Sequence, residues 1–152
     1  MLRKGSFAKY WLPVIIWMAV IFFVSSGIGS IQHTSRILGP LVHWLFPSLS
    51  AQRVAEIVFS IRKSSHAIEY AILAILLWRA RQKPFRNDHR PWYLFDSIVV
   101  WGIAALYAVT DEFHQTFVAT RQGSAWDVLL DSTGAALGLL LFWRIGKFFR
   151  KW

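Results

Sequence analysis

The stretch Arg62-Lys63-Ser64-Ser65-His66-Ala67-Ile68-Glu69-Tyr70 runs directly into Ala71-Ile72-Leu73-Ala74-Ile75-Leu76-Leu77-Trp78. Its second half is plain lipid-like sequence. Its first half carries a guanidinium, an ammonium, an imidazole and a carboxylate. Together, 61–78 has the length of a membrane span. An ionised side chain at bilayer depth costs roughly 2.5–3.5 kcal/mol on insertion scales. A spanning helix with charge in one half therefore needs partners for it, and the expected fold is a helical membrane bundle with polar groups gathered inside.

Two further stretches share this character. Asp111-Glu112-Phe113-His114-Gln115 closes an apolar run that starts near Tyr93. Asp127 and Asp131 open another that ends near Trp143, with Arg121 just before it. Composition agrees: the 152 residues are 55% hydrophobic with 9 Trp and 12 Phe, which says polytopic membrane protein, and the length allows one domain, 1–152. The absence of cysteine excludes disulfides, thiolate metal ligands and a cysteine nucleophile. The net charge of +9 is read as basic flanks of membrane spans, with membrane lipids as partners. No nucleic-acid partner is expected, because no basic helix or aromatic–basic RNA motif is present.

The chain is thus expected to be an all-α polytopic membrane protein with four transmembrane helices, at about 11–28, 61–78, 93–110 and 126–143. Pro13 falls in the first turn of the first span, where proline is tolerated. That span is read as retained rather than as a cleaved signal peptide, because no Ala-x-Ala site follows it. Twelve of the 17 Lys and Arg residues lie before span 1, between spans 2 and 3, or after span 4, which puts both termini in the cytoplasm. Outside, Ile37 to Phe46 is apolar but too short to span. It reads as an interfacial or re-entrant piece ended by Pro47, after which Ser50 caps a helix running into span 2. The second outer segment, Asp111 to Ala125, is short and polar.

Helical phase points to one shared site. Arg62, His66 and Glu69 share a face of span 2, Tyr107, Asp111 and His114 a face of span 3, and Asp127, Asp131, Gly134 and Gly138 a face of span 4. The small-x-x-x-small pair Gly134 and Gly138 lets a neighbouring helix approach closely. From a rise of about 1.5 Å per residue, Glu69 lies roughly 14 Å from the inner face and Asp131 roughly 18 Å. The groups describe a funnel that opens outward and narrows towards Glu69. The catalytic candidates are His66, Glu69, Asp111, His114 and Asp131. The binding candidates are Arg62, Lys63, Tyr70, Glu112, Gln115, Arg121 and Asp127.

Each of these residues also has a structural reading, as a core hydrogen bond, a headgroup anchor or a buried ion pair. Arg62 and Arg121 could clamp a phosphate or carboxylate while His66 or His114 acts as acid or base. A divalent metal on histidine and carboxylate ligands is a further option, although no HExxH is present. Ser64, Ser65 and Thr116 lack any nucleophile-elbow motif.

At these residues the chain resembles the VanZ-like family of small bacterial membrane proteins. The resemblance rests on Arg62-Lys63-x-x-His66-x-x-Glu69-Tyr70 and on Asp111-Glu112-Phe113-His114-Gln115-x-Phe117, followed by Arg121, Asp127-Val128, Asp131 and Gly134. It covers roughly residues 10–145. It implies a cell-envelope membrane protein with a role in low-level resistance to the glycopeptide teicoplanin. The expected action is binding or modifying an anionic lipid or a lipid-linked cell-wall precursor, or binding the lipoglycopeptide itself. An intramembrane hydrolase or transferase on a lipid-linked phosphate, and a proton- or ion-coupled transporter, stand as alternatives.

Overall fold

A computed structural model describes residues 4–28, 31–82, 92–118 and 123–149. These residues form α1 (Lys4–Phe23), a π-helical turn (Val24–Ile28), α2 (Ile31–Leu45), α3 (Ala51–Gln82), α4 (Leu94–Gln115) and α5 (Ala125–Phe148). The all-α expectation holds among the described residues.

Three helical stretches are long and apolar enough to cross a membrane: Phe7–Ser26, Leu94–Gln115 and Ala125–Phe148. The expected second span, 61–78, is not among them. The 32-residue α3 contains the expected second span, but Arg62, Lys63 and Glu69 sit in one half and Arg79 and Arg81 near its end. No stretch of spanning length in it matches the apolarity of the other three.

Contacts between helices fix their directions. Gly134 and Gly138 of α5 lie against Ala67 and Ala71 of α3, so these two helices run parallel. Opposed to them runs α4. The Arg81 Nε–H donates to Asp96 Oδ1 (2.7 Å) and Gln82 Nε2 to Asp96 Oδ2 (2.6 Å) at one end of the bundle. Towards the other end, the Trp101 Nε1–H donates to the Ser132 carbonyl (2.9 Å) and the Ser124 N–H to Glu112 Oε2 (2.8 Å). Finally, α1 runs parallel to α4: the Tyr107 hydroxyl donates to the Met18 carbonyl (2.7 Å) and Ser25 Oγ to Asp111 Oδ2 (2.8 Å).

The core lies among these four helices and contains Ile21, Tyr70, Leu73, Leu77, Val100 and Leu139, with Ala104, Ala108 and Ala135 keeping the backbones close. Large apolar side chains also face outward on every candidate span, among them Ile15, Phe23, Leu106, Leu137 and Leu141. Such faces suit lipid rather than water. Outside the four-helix body, α2 packs on the start of α3 through Val42, Val54 and Val58. It leaves Ile37, Leu41 and Trp44 exposed, the amphipathic form expected of an interfacial piece. It ends at Leu45, ahead of Pro47, and Ser50 Oγ accepts the Arg53 N–H (3.4 Å) at the start of α3, as a cap does.

Two boundary expectations are corrected. Helix α1 begins at Lys4, so Pro13 lies in its interior rather than its first turn. A proline there removes one backbone hydrogen bond, a loss confined to one turn. Helix α4 continues to Gln115, so residues 111–115 are helical rather than the start of a polar outer loop. Their acids are buried against other helices, which removes the reason to expect a loop.

Candidate functional site

The site begins with the absence of side chains. A Cβ placed on Gly134 would fall 2.7 Å from Ala67 Cα, and one on Gly138 would fall 2.7 Å from Ala71 Cα. Glycine on α5 against alanine on α3 therefore brings the two backbones together, as small-x-x-x-small faces do between membrane helices. One turn before Gly134, the same packing seals Asp131, whose residue is fully buried.

Around Asp131, two other helices supply polar groups. From α3, Lys63 Nζ pairs with Asp127 of α5. The Arg62 guanidinium lies within electrostatic reach of Asp127 and Glu112. From α4, Asp111, Glu112 and Gln115 are all buried. The Gln115 amide donates to Asp111 Oδ2 (3.1 Å) and to Glu112 Oε1 (3.2 Å), bridging the two acids. Glu112 also receives the backbone N–H of Ser124, which ties the end of α4 to the start of α5. Asp131 feels the charges of Glu112, Asp111, Asp127 and Glu69 together, so the five acids form one electrostatic unit.

The structure thus brings together Arg62, Lys63, Tyr70, Asp111, Glu112, Gln115, Asp127 and Asp131, with Glu69 near enough to act on Asp131. His66 is buried on the same helix, between Arg62 and Tyr70. His114 is half-buried at the edge of the group, stacked on Phe22 with ring centroids 4.3 Å apart. Arg121 lies outside the described residues. Glu69 is the acid nearest the middle of the bundle, as its position in α3 requires, but it is only half-buried. The fully buried acid is Asp131, which corrects the expectation that the polar groups converge on Glu69.

Two polar side chains of the cluster escaped the sequence reading. Ser25 and Ser26, in the π-helical turn, reach Asp111 (2.8 Å) and His114 Nε2 (3.1 Å). In sequence they are merely small residues at the end of an apolar run. Their signal is structural: a π turn inserts an extra residue and re-aims side chains, and such turns recur at functional sites.

Charge balance limits the chemistry. Five carboxylates face two basic side chains among the described residues. Both carboxylate oxygens of Asp131 are buried without a hydrogen-bond donor among them, and Arg62 Nε and Nη1 are buried without an acceptor. The site therefore holds a spare acceptor and a spare donor at once. Such a pair accommodates a ligand carrying both an anionic group and hydroxyl or amine donors. As for metals, no group of three or more His, Asp or Glu side chains among the described residues is arranged to hold an ion.

The family model described as VanZ/LLP1 matches residues 10–149 of this sequence. No curated protein and no solved structure matches it.

Proposed function

This chain belongs to the VanZ/LLP1 family, and from that premise we propose that it is a four-span cell-envelope protein whose polar cluster binds the headgroup of an anionic lipid or lipid-linked cell-wall precursor. The fourth span is α3. Its support is directional: α1 and α4 run parallel, so a chain that crosses with α1 must cross back before α4 begins. The polar half of α3 faces the acids of α4 and α5 instead of lipid. Basic residues concentrated at the other end of the bundle favour placing the cluster on the outer side.

The observation that carries the binding reading is the pair of unfilled groups in one cluster: the buried Asp131 carboxylate, with no donor among the described residues, and Arg62 Nε and Nη1, with no acceptor among them, the two residues linked through their shared neighbours Asp127 and Glu112. A phosphate would satisfy the guanidinium, and a sugar hydroxyl or amine would satisfy the carboxylate. Teicoplanin carries an acyl chain and acts on precursors at the outer leaflet, so a protein that holds such a precursor headgroup limits access to it. That is the resistance role proposed here.

Turnover on a lipid-linked phosphate is the second reading, favoured by the Ser26–His114 contact. Its weakness lies in the proton: Ser26 Oγ already donates to the Phe22 carbonyl (2.6 Å), leaving His114 no serine proton to abstract.

The test combines a phenotype with a tube assay. Expression in a susceptible Gram-positive host should raise resistance to teicoplanin more than to vancomycin. Purified protein should bind a labelled lipid-linked phosphate without converting it, with or without EDTA. Product formation would replace binding with catalysis, and equal shifts for both drugs would remove the lipid-linked account.

A further inference from the structure

At the end of the bundle away from the polar cluster, α4 and α5 leave a groove on the outward face of the two candidate spans. It is lined by Trp92, Leu94, Ile98, Trp101, Leu140 and Trp143, among others, and encloses about 710 Å³. Its walls are almost wholly apolar, with Ser97 the one hydroxyl-bearing residue that lines it. Leu94, Ile98 and Leu140 are each at least half exposed, so nothing among the described residues covers the groove.

Cationic groups sit at its mouth. The Arg144 guanidinium lies 5.6 Å from the centre of the Trp143 ring and Lys147 Nζ lies 5.4 Å from it. Both residues are exposed, and neither has an acidic partner among the described residues. Trp143 is therefore shared: it lines the groove and carries two cations stacked at its rim. We propose that this groove is a binding site for an anionic membrane phospholipid, its acyl chains between α4 and α5 and its phosphate on Arg144 and Lys147. The charge argues for this occupant. A second copy of the chain would bring its own pair of cations to the seam, whereas an anionic lipid neutralises the pair already present.

The site is separate from the polar cluster and stands whether or not that cluster binds a headgroup. It requires only that α4 and α5 lie in a membrane. Juxtamembrane basic residues each strengthen attraction to anionic lipid severalfold, so two predict a preference of about tenfold or more.

Native mass spectrometry of the full chain in detergent, loaded with equal amounts of phosphatidylglycerol and phosphatidylcholine, reads this directly. Wild type should retain phosphatidylglycerol preferentially. The Arg144→Gln/Lys147→Gln pair, whose side chains are exposed and meet the groove only at the rim of Trp143, should retain both lipids equally. Leu140→Trp, which fills the groove, should retain one lipid fewer of either kind, and Ala136→Leu gives the same reading with a smaller insertion. Equal retention by wild type, an undiminished preference in the double variant, or a protein dimer that Leu140→Trp dissociates would each overturn the proposal.

Discussion

Gly138 of α5 sits so close to Ala71 of α3 that an added Cβ would approach Ala71 Cα to 2.7 Å and its Cβ to 2.8 Å. The obstacle is partly backbone, which cannot rotate away. Overpacking in a tight core costs about 1–3 kcal/mol even where side chains can yield. Gly138→Val and Gly134→Val should therefore lose most folded protein in detergent, read as aggregation on size-exclusion chromatography. Gly102→Ala is the control, because nothing stands within 4 Å of a Cβ there. Equal behaviour of Gly134→Val and Gly102→Ala would mean that the α3–α5 contact is not as close as described.

The Lys63–Asp127 pair joins α3 to α5 with side chains 26% and 19% exposed. That burial places it between exposed pairs, worth about 0–1 kcal/mol, and buried ones, whose breaking costs about 3–5 kcal/mol. Asp127→Ala should lower stability by about 1–3 kcal/mol because it strands a half-buried ammonium. The double variant Lys63→Met/Asp127→Leu should recover much of that loss. A double variant as unstable as the sum of its singles would show that the two residues act independently.

Topology is decided by the ends of α1 and α5. If α3 crosses, Lys9 and Lys147 lie on the same side, and Ser48 and Thr116 lie on the other. With only the three most apolar helices crossing, Lys9 and Lys147 lie on opposite sides. Single cysteines at these exposed positions, in a chain with none of its own, can be labelled from one side by an impermeant maleimide. Gly123 is unsuitable for this purpose, since a Cβ there would meet the Glu112 carbonyl at 2.5 Å. Labelling of Lys9→Cys and Lys147→Cys from opposite sides would sink the four-span proposal.

Much of this site was legible because charge in apolar sequence is conspicuous. Arg62, Lys63, Asp111, Glu112, Asp127 and Asp131 stand out by cost alone, and 3.6-residue periodicity assigns Arg62, Asp111, Asp127 and Asp131 to faces. The close α3–α5 approach was legible from Gly134 and Gly138 in the same way. What periodicity cannot supply is depth of burial. Glu69 was expected to be the focus from distance along its helix, yet Asp131 is the one sealed, because the glycine–alanine contact lies directly below it. Ser25 and Ser26 were illegible for another reason. Serine is a common residue at helix ends, and only the π-helical turn aims these two at Asp111 and His114. The end of α4 is only partly legible: helical spacing carries Asp111 and His114 on the face of Tyr107, but polarity assigns the same residues to an outer segment, whereas here Asp111, Glu112 and Gln115 are buried.

Asp131 is fully buried, yet its two oxygens have no donor among the described residues. A structural acid would be hydrogen-bonded or paired, and its removal would destabilise the protein. An acid kept for a ligand is held at a cost, since leaving a buried polar group unsatisfied costs about 1–3 kcal/mol. Asp131→Asn keeps the shape and removes the charge from a group of five acids. It should leave thermal stability in detergent unchanged or higher, by up to about 2 kcal/mol, while abolishing the resistance phenotype. Asp111→Asn is the contrast, because Asp111 accepts from Ser25 and Gln115 and its loss weakens the tie between α1 and α4. Thermal unfolding of the two variants beside wild type, with membrane levels checked by blotting, measures both halves. A stability loss for Asp131→Asn as large as that for Asp111→Asn would make Asp131 a structural residue and remove the main support for a ligand in this site.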